Sequence, residues 1–103
     1  MKRSVVWSEN ARQNIREIAS YIAADNIEAA RRVAATIRKT GDNLGKLATG
    51  HPGRMENVYE RNVADLPYTI AYSIDPSPGG REVIHILHII HHARNWTENK
   101  WPD

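Results

Sequence analysis

The 103-residue chain contains no cysteine, which excludes a disulfide framework and a thiolate nucleophile and fits a reducing, cytoplasmic compartment. No apolar run approaches the ~18 residues that a membrane-spanning helix requires. The basic start Met1-Lys2-Arg3 is not followed by an apolar h-region, so no signal peptide is expected. Internal repeats and low-complexity segments are absent. Lysine is missing between Lys46 and Lys100, and acidic residues are missing between Glu82 and Glu98. The second gap bears on metal binding; the first bears on catalysis.

Hydrophobic residues make up 41% of the chain and charged residues 25%, the composition of an ordinary globular protein. The length suits one domain spanning residues 1–103, with a single core. The net charge is only +2, but residues 1–50 carry nine Lys/Arg against five Asp/Glu, while residues 51–103 carry five against seven. A surplus confined to the N-terminal half suits an acidic protein partner or a nucleic acid, and charge alone does not choose between them.

The longest apolar run is Glu82-Val83-Ile84-His85-Ile86-Leu87-His88-Ile89-Ile90-His91, which passes directly into His92-Ala93-Arg94-Asn95-Trp96. Its β-branched residues predict a strand. Strict alternation places Val83, His85, Leu87 and Ile89 on one face, and Ile84, Ile86, His88 and Ile90 on the other. Apolar residues on both faces predict a central strand covered on both sides. On a helix His88 and His92 would share a face one turn apart. On a strand they lie about 13 Å apart, too far to share an ion, and His91 and His92 point to opposite faces. With no cysteine or nearby carboxylate, no metal or other cofactor is expected, and imidazoles bonded to backbone are the alternative role.

Earlier in the chain, Ser4-Val5-Val6-Trp7 predicts a short strand, and Ser8 a helix N-cap with Glu9 in the first turn. Ala11, Ile15, Ile18 and Ile22 form an apolar stripe at helical spacing over Ser8–Ala24. Asp25-Asn26 breaks the pattern and caps a second helix, Asn26–Ala48, with Ala30, Val33, Ala34, Ile37, Gly41, Leu44 and Ala48 as its stripe. The short break predicts a helical hairpin. Gly41 is expected to let the two helices approach, and Gly50 to end the second one. His51-Pro52-Gly53-Arg54 predicts a loop, Val58–Val63 a strand near an edge, Tyr68–Ile74 a strand, and Asp75–Gly80 a hairpin loop. The resulting fold class is α+β, in the order β-α-α-β-β-β. A helical hairpin packs on a small antiparallel sheet whose far face should leave an exposed apolar patch.

Several motifs in this order carry a resemblance. They are Val6-Trp7-Ser8 with Ala11, Ile18-x-x-Tyr21-Ile22-Ala23, Ala29-Ala30-x-x-Val33, Pro52-Gly53-Arg54, Pro67-Tyr68-x-Ile70-x-Tyr72, and Ile86-Leu87-x-Ile89-x-His91-x-Ala93-Arg94-x-Trp96. Together they resemble the RelE/ParE toxin superfamily, and its ParE branch most, over almost the whole chain. The resemblance implies the toxin of a bacterial type II toxin–antitoxin pair, acting on DNA gyrase by protein–protein contact. It also implies a hetero-oligomer with an acidic, ParD-like antitoxin. Sequence-specific DNA binding would then fall to the antitoxin, and no membrane is involved.

The alternative that the resemblance carries is a RelE-like, ribosome-dependent mRNA endonuclease, with His92 and Arg94 as catalytic candidates. Nuclease members use basic residues on the sheet and an acid/base group near the C-terminus. Here Thr69 follows Tyr68 where a Tyr-Arg pair is expected, and the lysines of the middle strand are missing. The non-catalytic reading is therefore preferred. His91, His92, Arg94 and Trp96 are the candidates for target contact, and Arg54 and Arg61 for antitoxin contact. For Arg94 the plain alternative is a charge closing the sheet, for Trp96 packing on the hairpin, and for Arg54 and Arg61 solvated surface charge.

Overall fold

A computed structural model describes residues 3–48, 50–53 and 55–92. The elements are β1 (Ser4–Trp7), α1 (Glu9–Ala23), α2 (Ile27–Asn43), β2 (His51–Pro52), β3 (Tyr59–Asn62), β4 (Tyr68–Ser77) and β5 (Arg81–His91). The sheet order is β1-β5-β4-β3-β2. The hairpin-on-sheet architecture is as expected, but the sheet is mixed, because β1 runs parallel to β5 while the remaining pairs are antiparallel. A parallel neighbour requires a crossover, and the helical hairpin between β1 and the rest of the sheet supplies it. β5 is paired on both sides, although β4 occupies the middle of the five.

Local chemistry sets the helix ends. Ser8 caps α1 by accepting from the Ala11 N–H at 3.0 Å, and Asn26 caps α2 by accepting from the Ala29 N–H at 3.0 Å. Both stripes face the sheet: Ala11 and Ile15 of α1, with Ala34, Ile37 and Leu44 from the second helix and its cap, pack against Ile70, Tyr72, Ile84, Ile86 and Ile89. The second helix stops at Asn43, a turn short of the expected end, so Gly50 does not terminate it. The reason is an anchor: the Arg3 N–H donates to the Gly45 carbonyl at 2.7 Å, which ties this stretch to the start of β1.

Gly41 also acts differently from the expectation. A Cβ there would overlap the far edge of the Trp7 ring and touch Ile86, so its bareness admits the sheet rather than the neighbouring helix. Trp7 is held in place by its indole N–H, which donates to Asp42 Oδ1 at 2.9 Å.

The hairpin loop is shorter than expected, since β4 continues through Asp75 and Pro76 to Ser77. β3 pairs with β4 only as far as Tyr72. Beyond that point β4 has a free edge, where a proline is tolerated. The reversal is left to Pro78-Gly79-Gly80, whose glycines take φ of 87° and 78°, the left-handed values that tight hairpins need. His51-Pro52, expected as loop, forms a two-residue edge strand against Tyr59 and Glu60.

The alternation expected along β5 breaks at Leu87. Ala71 pairs with His88 but Tyr72 pairs with Ile86, so Leu87 is an extra residue, as in a β-bulge. Ile84, Ile86, Ile89 and His91 consequently share the helix-side face, while Val83, His85, His88 and Ile90 share the other. The irregular backbone is satisfied by α1 and its cap. Ser8 Oγ donates to the Leu87 carbonyl at 2.9 Å, and the Ile89 N–H donates to Asn14 Oδ1 at 2.9 Å.

The far face also departs from expectation. Ala71 and Ile90 there are buried, and Val6, at 46% exposure, is its exposed large hydrophobic among the described residues. Ala71 lies between the larger Glu60 and His88 on neighbouring strands, both buried themselves. The other exposed large hydrophobics are Tyr21 and Ile27 on the hairpin, Leu47 after it and Tyr59 at the start of β3.

Gly41→Ala tests the packing of α2 on the sheet. A helical Gly-to-Ala change normally gains about 1 kcal/mol, while overpacking costs about 1–3 kcal/mol. The expected outcome is a net loss near 1 kcal/mol, read as a melting temperature lower by about 4–8 °C. An unchanged or raised melting temperature would mean that Trp7 yields freely.

Candidate functional site

The sheet face turned away from the hairpin gathers the polar side chains of β3, β4 and β5 into two clusters. At the end of β5, the Thr69 hydroxyl donates to Asn62 Oδ1 at 2.7 Å and lies 2.7 Å from His92 Nε2. Because the hydroxyl proton is committed to Asn62, the imidazole must donate through Nε2–H. The His92 backbone N–H is fixed as well, donating to the Pro67 carbonyl at 2.9 Å. Thr69 is buried. The residue that stands in place of a nuclease arginine therefore positions His92.

The second cluster lies towards the hairpin tip. Ser73 Oγ donates to Asp75 Oδ2 at 2.6 Å, and His85 Nδ1 lies 2.7 Å from the same oxygen. An ionised carboxylate only accepts, so the ring donates through Nδ1–H. The Ser73 proton goes to Asp75 rather than to His85, so this is not an activated-serine arrangement. The bond from Ser73, followed by that from His85, lowers the Asp75 carboxyl below its ordinary value of 3.8.

Sequence reading missed this cluster because Asp75-Pro76 resembles the start of a loop. Counting back from Gly79-Gly80 as the turn would have found it, since Ser77 then faces Arg81 and Ser73 faces His85.

His92 is at the site, while His91 diverges from it, as expected from their opposite faces. His91 is on the helix side, its ring edge-on to Tyr68 with centroids 5.2 Å apart. Arg61 is exposed on β3 opposite Ile70, and has no ion pair among the described residues. Arg54, Arg94 and Trp96 lie outside the described residues. The strand conformation denies His88 and His92 the one-turn spacing that a shared ion needs. Among the described residues no group of three or more His, Asp or Glu side chains converges as metal ligands.

The electrostatics of this face decide what it can do. Among the described residues, the guanidinium placed on it by register is Arg81, opposite Ser77. Thr69 is eight residues from Ser77 along β4, about 26 Å at a strand's rise. The side chains nearer to Thr69 include the buried carboxylate of Glu60.

Folded Asp75 binds its proton less readily than the unfolded chain does. Its stabilising contribution is therefore complete above about pH 3.8 and is lost as pH falls through its lower folded value. The effect is small, because the side chain is 45% exposed. Acid unfolding should show Asp75→Asn losing less stability than the parent chain below pH 3.8. Identical acid limbs would contradict the bonding described.

Comparison with known proteins now places the chain. Residues 5–96 match the family model for the ParE toxin of the type II toxin–antitoxin system parDE. A protein of Sinorhizobium fredii described as "Putative toxin Y4kP" is 33% identical over 98 residues, covering 94% of this chain and 96% of that protein. Among solved structures, the fold is similar to a chain of the chromosomal ParDE system from P. aeruginosa. The TM-score is 0.74 at 20% identity, over 87% of this chain and 96% of that one. It is also similar to a chain of the RelBE2 toxin–antitoxin complex from Mycobacterium tuberculosis, with TM-score 0.62 at 17% identity, over 88% of this chain and 99% of that one. No helix is long and apolar enough to cross a membrane among the described residues. The chain belongs to the ParE toxin family of type II toxin–antitoxin systems, within the RelE/ParE superfamily.

Proposed function

We propose that this toxin inhibits DNA gyrase by protein–protein contact in the cytoplasm, without catalysis, and that an acidic, ParD-like antitoxin neutralises it in a hetero-oligomer. The observation that supports the non-catalytic part is in the sequence: Thr69 follows Tyr68 where a nuclease-type arginine is expected, and no lysine lies between Lys46 and Lys100. In-line cleavage of RNA places extra negative charge on the phosphate, and each preorganised donor that meets such charge contributes about 10²–10³ in rate. Arg81 is too distant to serve. His92 directs its Nε2 proton to Thr69, which leaves it constrained rather than poised over a substrate.

On this reading His91, His92, Arg94 and Trp96 contact the target, and Arg54 and Arg61 meet antitoxin carboxylates. DNA recognition by the complex belongs to the antitoxin. Gyrase as the target is what the resemblance to the ParE branch implies, and the likeness to RelBE2 at 17% identity extends to fold alone.

Purified toxin should inhibit gyrase-dependent supercoiling of relaxed plasmid, and should leave mRNA on translating ribosomes uncut. His91→Ala and His92→Ala should weaken the gyrase effect if those side chains contact the target. Codon-positioned mRNA cleavage that is lost on His92→Ala, with supercoiling unaffected, would replace this reading with the endonuclease one.

A further inference from the structure

Where the first half of α1 faces the second half of α2, the end of β1 completes a small cleft. Its volume is about 230 Å³, and it is lined by Trp7, Arg12, Ile15, Arg16, Arg38 and Asp42. Ile15 is 3% exposed and Trp7 is half-buried, so an aliphatic and an aromatic side chain form the inner wall. The four charged side chains are exposed and form the rim. Pockets that enclose a drug-sized ligand run to about 300–1,000 Å³, so this cleft suits a smaller molecule.

The rim carries more positive than negative charge. Glu9 stands beside it, 2.8 Å from Arg16 and 3.5 Å from Arg12. With Glu9 counted beside Asp42, three cations face two carboxylates, a net charge of +1. The Glu9 side chain is 72% exposed, and ion pairs open to water hold their partners weakly, so Arg12 and Arg16 can turn to a stronger anion. Arg38 has no ion pair or hydrogen bond among the described residues. Asp42 accepts the Trp7 indole N–H through Oδ1 at 2.9 Å, and a carboxylate has further lone pairs to offer a donor.

We propose that this cleft binds a free mononucleotide. The planar base lies against Trp7 and Ile15, an amino group of the base donates to Asp42, and the phosphate meets Arg38 together with Arg12 and Arg16. Each part of the ligand answers a feature of the wall. Guanidiniums present paired donors that match phosphate oxygens, and an aromatic ring stacks on any base. A phosphate monoester carries about −1.5 to −2 charges at pH 7, more than the single carboxylate of Glu9 that it displaces. Inorganic phosphate satisfies the rim but leaves the inner wall bare. A nucleic-acid strand needs a groove along which its backbone can track, and a cleft this small does not supply one. The proposal needs neither the gyrase nor the antitoxin reading.

The test is a titration of the isotope-labelled full chain with adenosine monophosphate, followed at the indole N–H of Trp7 and at the amides of residues 12–16 and 38–42. Adenosine, inosine monophosphate, inorganic phosphate and a single-stranded DNA oligonucleotide are titrated alongside. Adenosine monophosphate is expected to shift these signals saturably, and to bind about tenfold more tightly than adenosine or inorganic phosphate. Arg38→Gln should remove the advantage over adenosine with the melting temperature unchanged. Inosine monophosphate, which lacks the amino group, should bind the parent chain more weakly than adenosine monophosphate.

No saturable shift at the Trp7 indole, shifts confined to other residues, or inorganic phosphate binding as tightly as adenosine monophosphate would overturn the proposal. An Arg38→Gln chain that binds adenosine monophosphate as the parent does would overturn it too. An oligonucleotide that displaces adenosine monophosphate from these residues would replace it with a nucleic-acid surface. If Arg38→Gln lowers the melting temperature, the two monophosphates on the parent chain decide the matter. Equal binding of the two would then refute the contact at Asp42 and the proposal with it.

Discussion

The structure depends on how the second half of β5 completes its hydrogen bonds. β1 is only four residues long, and its pairing with β5 ends at Trp7 opposite Ile86. Beyond that point an interior strand would present bare backbone towards the helices, where an unpaired N–H or carbonyl costs about 1–3 kcal/mol. Ser8 and Asn14 take over from β1. The Ser8 hydroxyl caps α1 with its lone pair and donates its proton to Leu87, so one side chain both starts the helix and extends the sheet.

The Leu87 bulge follows from that arrangement. With an extra residue accommodated, Ile89 stays in the core with Ile84 and Ile86, and His88 and Ile90 turn to the far face. Without it, Ile89 would leave the core and His88 would enter it, placing a polar ring among the side chains that α1 and α2 cover. The same shift puts His88 opposite Ala71 and Ile90 opposite Thr69, whereas the pairing of His85 with Ser73 is set by the hairpin turn. Which side chains beyond Leu87 reach the far face is thus a consequence of how the helical side is sealed.

Charge is divided between the two surfaces. The cations of the N-terminal half are displayed on the hairpin, where Arg12, Arg16, Arg31, Arg32, Arg38 and Lys39 are all exposed. Among the described residues, the far face of the sheet carries imidazoles, hydroxyls and carboxylates, with Arg81 at the hairpin tip.

What could be read from the sequence followed short-range periodicity. Ala11, Ile15, Ala34 and Ile37 announce their helices through spacing alone, and Ser8 and Asn26 announce the caps. The Leu87 bulge could not be read, because its bonding partners lie 79 and 75 residues away at Ser8 and Asn14, and the run from Val83 to His91 alternates plausibly without it. The parallel pairing of β1 was hidden for the same reason. Asp75 was hidden by Pro76, whose turn character is overridden where β4 has a free edge. The grouping of Trp7 with Arg12, Arg16 and Arg38 appears only once the two helices are antiparallel.

Amide hydrogen exchange at Ile89 tests the central dependence. In the parent chain this amide should exchange only through near-global unfolding, like those of Ile84 and Ile86. In Asn14→Ala its protection should fall by about 1–3 kcal/mol more than theirs. If Ile89 keeps its protection in the variant, or if all three amides fall together, α1 is not what completes the strand.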